Sequence, residues 1–170
     1  LHLLSRRQRQ MCIRDSLDGI IMGTRSGSVD PSAVEFVQNK LGFTPAQMSD
    51  YLNKKSGFLG LSGQFSDNRD ITSAAQQGDK RSQLVTDMLT YEIKKYIGSY
   101  TAAMNGLDVV IFTGGIGENA PEVRKGVCEN MEYLGIKLDN SVNDGLKGKL
   151  TKISAPDSKV EVWVLSLIHI

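Results

Sequence analysis

The chain has 170 residues, the size of one ordinary domain, and its 40% hydrophobic and 23% charged residues fit a globular protein rather than a disordered one. Twenty Lys and Arg against 19 Asp and Glu leave a net charge of +1. That balance excludes a polybasic nucleic-acid binder, and no apolar run approaches the roughly 18 residues of a membrane span. Two cysteines, Cys12 and Cys128, suggest no disulfide framework and point to a reducing, cytoplasmic compartment. The two histidines, His2 and His169, stand at the extreme ends, so the body of the chain lacks the residue for His-based acid–base catalysis and for most zinc sites.

Residues 1–16 (LHLLSRRQRQMCIRDS) place apolar residues before basic ones, the reverse of a secretory signal, and residues 165–170 (LSLIHI) form an uncapped apolar stub. Both resemble translated adapter sequence and are expected to be extraneous, the alternative being frayed native termini. The domain is then expected over residues 17–164. It opens with a Gly/Ser-rich loop, Leu17 to Asp30. Asp30 followed by Pro31 predicts a capped helix with Ala33, Val34, Phe36, Val37 and Leu41 as its apolar face, ended by Gly42. Thr44-Pro45-Ala46-Gln47 reads as a capping box opening a second helix, which Gly57 closes. Gly57 to Gly63 reads as a loop or short strand, and Asp70 as the cap of a short helix ending at Gly78.

Asp79 leads the longest helix, with Leu84, Val85, Met88, Leu89, Ile93, Tyr96 and Ile97 at three- and four-residue spacing and its Tyr and Met residues read as core. Asn105-Gly106 marks a turn, and Leu107 to Thr113 has the continuous apolar, β-branched character of a strand buried on both faces. A Gly-rich loop, Gly114 to Ala120, then precedes a helix opened by Pro121. A second short strand is expected over Gly135 to Asp139, a polar helix-and-loop stretch over Asp139 to Lys152, and a third strand over Lys159 to Val164. Strands and helices alternate in this half, so the class is α/β.

Three constellations carry possible chemistry. The first is Phe112-Thr113-Gly114-Gly115-Ile116-Gly117-Glu118-Asn119, between a strand and a helix, where glycines let backbone lie against a ligand. A plain strand–helix turn is one alternative. Another is a loose dinucleotide fingerprint, Gly115-x-Gly117-x-x-Ala120 with Asp139 about 20 residues on, although Pro121 places the helix start after that motif. The second constellation is Gly23-Thr24-Arg25-Ser26-Gly27, in which a guanidinium between small residues can reach phosphoryl oxygens bidentately, or can simply be a solvated surface arginine. The third is Ser66-Asp67-Asn68-Arg69-Asp70, whose donors and acceptors ahead of a helix can line a ribose or base, or form an ordinary capped turn.

LDGIIMGTRSGSVDP, NKKSGFLGLSGQFSDNRD and FTGGIGENAPEVRKGV, in this order and spacing, closely resemble the C-terminal half of the acetate kinase family over about Leu17 to Val164. The resemblance implies the acetate and sugar kinase/Hsp70/actin (ribonuclease H-like) fold, here as an incomplete C-terminal domain. It implies reversible phosphoryl transfer from ATP to acetate, giving acetyl phosphate and ADP, with Mg²⁺. Arg25 is identified with the family's transition-state arginine, Asp67, Asn68 and Arg69 with its nucleotide-contacting segment, and Gly115, Ile116, Gly117, Glu118 and Asn119 with the loop that holds the adenosine part. Family members pair through this domain, which implies a homodimer in the full-length protein, and the helix from Arg81 to Tyr100 is a candidate surface.

The resemblance leaves out the family's N-terminal domain, with its acidic residue, second arginine and acyl pocket, as well as a catalytic histidine and an upstream phosphate-contacting hairpin. The family's acidic residue that helps hold Mg²⁺ has no match at Glu161 or nearby, so no metal ligand is assigned. The chain alone is therefore expected not to turn over. Propionate kinases and other short-chain acyl kinases of the family remain open, as do a nicotinamide-binding domain and a non-catalytic nucleotide-binding module.

Overall fold

The computed structural model describes residues 16–146 and 150–166, and the chain divides into two compact units, Leu1–Ser82 and Gln83–Ile170.

In the first unit an irregular loop runs to Asp30 and leads into helices α1 (Pro31–Leu41), α2 (Pro45–Lys54), α3 (Gly57–Ser62) and α4 (Asn68–Gln76). The start signals read from the sequence hold for the first two. Asp30 Oδ1 accepts from the Ser32 and Ala33 amides at 2.7 and 3.2 Å, and Gly42 ends α1 in the left-handed region at φ 66°. Thr44 and Gln47 form the reciprocal capping box of α2. The expected apolar face of α1 is not buried, however: Phe36 is 64% exposed, with the Lys40 ammonium 5.7 Å from its ring centroid. Periodicity says which side of a helix can be covered, not whether anything covers it. Among the described residues of this unit the buried apolar ones are Ile21, Met48, Phe58 and Ile71.

Two expectations about this unit are corrected. Gly57 does not close α2, which ends at Lys54; it opens α3, where a loop or strand was expected. The first free amides of α3, on Phe58 and Leu59, donate to the carbonyls of Met22 and Gly23 at 2.8 and 2.9 Å. Long-range hydrogen bonds thus supply what the six-residue sequence lacks for a helix of its own. The cap of α4 is Asp67 rather than Asp70, which lies in the first turn. The Asp67 carboxylate reaches the Arg69 amide at 2.8 Å and so starts the helix three residues earlier.

Helix α5 (Lys80–Met104) begins in the first unit, with Asp79 accepting from the Ser82 amide and hydroxyl, and continues into the second. Of its apolar residues Val85 and Leu89 are buried and Tyr96 is half-buried, whereas Leu84, Tyr91 and Tyr100 are exposed, so Tyr91 and Tyr100 are not the core filling expected of them.

Among the described residues of the second unit three strands make a sheet: β1 (Val109–Thr113), β2 (Thr151–Lys152) and β3 (Glu161–Leu165), in the order β1-β3-β2. β1 and β3 are parallel, with Val109 opposite Glu161 and Thr113 opposite Leu165; β2 runs antiparallel to β3. Central β3 buries Val162 and Val164, as its alternating sequence predicts. β1 buries Phe112 but exposes Val109 and Ile111, so it is not covered on both faces among the described residues. An unbroken apolar run cannot distinguish a doubly covered strand from one covered on a single side.

After β1 come α6 (Gly114–Asn119), α7 (Pro121–Cys128), a 3₁₀ turn (Glu132–Leu134) and α8 (Asn140–Asp144). The expected Gly-rich loop is therefore a one-and-a-half-turn helix. The strand expected over Gly135 to Asp139 reduces to two isolated bridges, Ile136 with Val160 and Leu138 with Ser154, because Asp139 turns away to cap α8. Met131, Val123, Val127, Ile136, Ile153 and Val160 complete the core of this unit. The class remains α/β.

Candidate functional site

Arg25 is carried by a loop fastened along its length to α2 and α3. Besides the two amides of α3, Ser56 donates to the Thr24 carbonyl at 3.0 Å, and Ser26 donates to the Leu52 carbonyl at 2.9 Å. The Thr24 hydroxyl donates to the Asn53 carbonyl at 2.9 Å. Gly57 makes this approach possible: at φ +60°, an added Cβ would collide with the Met22 carbonyl oxygen and stand 2.6 Å from that of Arg25. Gly23 meets the opposite neighbour as closely, since a Cβ there would lie 2.5 Å from the Ser66 carbonyl oxygen. The Arg25 guanidinium donates through Nη2 to the Ser16 carbonyl at 2.7 Å.

The contact of Gly23 with Ser66 brings the second and third constellations side by side. Just beyond it, Arg69 grips the Asp67 carboxylate with two nitrogens, Nε to Oδ1 at 3.0 Å and Nη2 to Oδ2 at 2.7 Å. That guanidinium, followed by the backbone amide of Arg69, holds the Asp67 carboxyl down at about 2. Asp67 is thus both helix cap and ion-pair partner, the ordinary capped turn that the sequence allowed, while the Arg69 side chain stays 88% exposed to solvent. Asn68 lies half-buried at the first position of α4, its amide 3.5 Å from the Thr72 hydroxyl.

In the second unit Gly115, Ile116, Gly117, Glu118 and Asn119 form all but the first residue of α6, directly after β1. Gly114 requires its glycine, at φ +74°. Gly115 has ordinary backbone, and a Cβ on it would meet nothing within 4 Å. Its missing side chain therefore answers to neither strain nor crowding. At Gly117, by contrast, a Cβ would come 3.2 Å from the Phe112 carbonyl carbon, so this face of α6 packs on β1. The Asn119 amide donates back to the Gly115 carbonyl at 2.9 Å.

Sequence reasoning missed Arg124 and Asn143. Arg124 is 1% exposed and donates to the carbonyls of Gly117 and Glu118, both at 2.9 Å, to the Asn143 carbonyl at 3.0 Å and to Asn143 Oδ1 at 2.7 Å. Burial pushes its pKa below the ordinary arginine value. The available signal was a charge on an apolar stripe, because Arg124 shares its helix face with Ala120, Val127 and Cys128 at three- and four-residue spacing.

The dinucleotide alternative fits poorly. Its glycine motif runs through one helix up to the start of the next, and its acidic residue, Asp139, is occupied by the Ser141 amide and hydroxyl and the Val142 amide. Among the described residues no group of three or more His, Cys, Asp or Glu residues is placed to hold a metal ion. Both Asp67 oxygens are engaged by Arg69, and Glu161 is paired with Lys152 and the Trp163 indole. As paired, neither Asp67 nor Glu161 offers an open carboxylate to Mg²⁺. No helix among them is long and apolar enough to cross a membrane.

Comparison with known proteins agrees with the motifs. Residues 11–167 match the Acetokinase family. The chain is 52% identical over 149 residues to the acetate kinase of Carboxydothermus hydrogenoformans, covering 88% of this chain and 37% of that protein. Among solved structures, Porphyromonas gingivalis acetate kinase matches with a TM-score of 0.86 at 49% identity, covering 88% of this chain and 38% of that one. A propionate kinase from Francisella tularensis matches with a TM-score of 0.81 at 35% identity over the same shares. The chain thus spans little more than a third of the length of these relatives. With about half its residues shared and the fold in common, this chain belongs to the acetokinase family.

Proposed function

We propose that this chain carries the nucleotide-handling part of a cytoplasmic phosphotransferase that moves the γ-phosphoryl group of ATP to acetate, reversibly, giving acetyl phosphate and ADP. Phosphoryl transfer asks a protein mainly for positioning and for fixed positive charge against the equatorial oxygens. Arg25 is the residue for that charge. Asp67, Asn68 and Arg69 act as a nucleotide-contacting turn, in which the exposed Arg69 guanidinium is the group able to leave its carboxylate for a ligand. Gly115 to Asn119 receive the adenosine part. Mg²⁺, when bound, neutralises charge on the transferring phosphates, and no residue described here is assigned to it. The full-length protein is a homodimer in this reading.

The observation that carries the proposal is the fastening of the Arg25 loop. Two glycines without room for a Cβ and a row of backbone hydrogen bonds fix the segment that bears Arg25, the candidate cation for the reaction. A solvated surface arginine needs no such support. The open flank of Gly115 is what a backbone–ligand approach requires.

Calorimetric titration of the chain with ATP, ADP and NADH tests the nucleotide part: preference for the adenine nucleotides supports it, and preference for NADH sinks it. The chain alone is expected to form no acetyl phosphate, trapped as its hydroxamate, because it spans little more than a third of its acetate kinase relatives. In the full-length protein, Arg25→Ala is expected to lower kcat by on the order of 10³-fold or more. The similarity to a propionate kinase keeps propionate as a second acyl acceptor, and kcat/KM for the two acids decides between them.

A further inference from the structure

We propose that Arg124 and Asn143 form a clamp that holds Gly115 to Asn119 in its nucleotide-receiving shape, a positioning role that rests on the nucleotide reading of that segment. A helix of six residues is too short to persist unaided, and the last carbonyls of any helix lack partners within it. In α6 two of these, Gly117 and Glu118, are taken by a single nitrogen of Arg124, each at 2.9 Å. The other two donating nitrogens of that guanidinium go to Asn143, Nε to Oδ1 at 2.7 Å and Nη2 to the carbonyl at 3.0 Å. Asn143, fully buried, passes the connection on: its amide donates to the Pro121 carbonyl at 3.0 Å and to Asp144 Oδ1 at 3.1 Å. One cation therefore ties together the end of α6, the start of α7 and α8.

The chemistry of the partners sets this cation apart from a buried ion pair. All four hydrogen-bond acceptors of Arg124 are neutral amide oxygens, and Glu122 and Asp144 act on its charge without a hydrogen bond to it, so no direct ion pair accounts for its placement. Burying an unpaired cation is costly, and an apolar side chain would fill the same volume without that cost. What an apolar side chain cannot do is hold two successive carbonyls in a fixed direction. Arginine does so because its donors form a rigid planar fork, which an ammonium cannot reproduce over four acceptors.

The test compares the unaltered chain with Arg124→Lys and with the milder Asn143→Ala, which leaves the guanidinium in place but removes its Oδ1 partner. Two quantities are read: amide hydrogen exchange residue by residue, and the dissociation constant for ATP. The clamp is expected to show as roughly tenfold or more faster exchange at Gly117 to Ala120, with the β3 amides of Val162 and Val164 unchanged, and as about tenfold weaker ATP binding in both variants, the scale of one lost charge-assisted hydrogen bond. Equal acceleration in α6 and β3 would show a general core strut and overturn the proposal, as would ATP affinity that stays the same while α6 loosens. If the unaltered chain binds no ATP, the nucleotide reading falls first, and selective exchange in α6 still decides whether the clamp exists.

Discussion

Gly57 and Arg25 are in backbone contact: a Cβ on the glycine would stand 2.6 Å from the arginine's carbonyl oxygen, and the glycine's φ of +60° is already unfavourable to any other residue. The position of the candidate phosphate-binding arginine therefore depends on the absence of a side chain more than thirty residues away in sequence. Gly57→Ala is expected to destabilise the first unit by about 3 kcal/mol, strain and collision together. The Phe58 and Leu59 amides, which donate to Met22 and Gly23, should then exchange about a hundredfold faster. Gly42→Ala supplies the control. Its φ is also positive, but a Cβ there meets nothing within 4 Å, so it should cost only about 1 kcal/mol. Equal losses at the two positions would show that crowding at Arg25 contributes nothing.

The Asp67 carboxyl, held at about 2 by the Arg69 side chain first and the Arg69 amide second, should titrate well below an ordinary aspartate in carbon-detected NMR. Its folded value lies below its ordinary 3.8, so its stabilising effect on α4 is fully present above that pH and disappears as the pH falls through about 2. Arg69→Ala removes the larger cause and keeps the amide, so the midpoint should rise but remain under 3.8. A midpoint already ordinary in the unaltered chain contradicts this account.

Cys128 is buried, and burial pushes its thiol up to about 12. Because the thiolate is the reactive species, Cys128 should resist alkylation at pH 8 in the folded chain and react promptly once denatured. The linkage has the opposite sign to that of Asp67. An unfolded thiol ionises near 9.0 and the folded one near 12, so the unfolded state gains over the folded state between those values and stability falls as pH rises through that window. Rapid labelling under native conditions would mean that the α7 packing is open.

The sheet offers a contrast between two β-branched residues. Val162 on central β3 is fully buried, and Val162→Ala should cost about 2 kcal/mol. Ile111 on β1 is 55% exposed, and Ile111→Thr should change stability of this chain by no more than about 0.5 kcal/mol. Denaturant titration of the second unit measures both. A large loss at Ile111 would show that β1 is covered in solution.

Local signals were the most legible part of the sequence. Asp30 before Pro31 and the Thr44–Gln47 box name their helix starts, because a cap is a contact between residues two or three apart. Alternation in Lys159 to Val164 gives β3 for the same reason. The motif residues could be named, but their support could not. That Gly57 opens a helix rather than closing one, and that Arg124 turns inward onto two carbonyls, depends on partners 6 to 36 residues away.

By itself the sequence determined the α/β class, the caps of α1 and α2, the three glycine-punctuated motifs and, through them, the family. Each of these is set by residue type at short spacing. Only the tertiary structure decided which faces are covered, why Phe36 and Ile111 remain exposed while Val162 does not, and how the Arg25 loop and the Gly115–Asn119 segment are each held. Burial and long-range hydrogen bonding are properties of neighbours brought together by folding, and no window along the chain contains them.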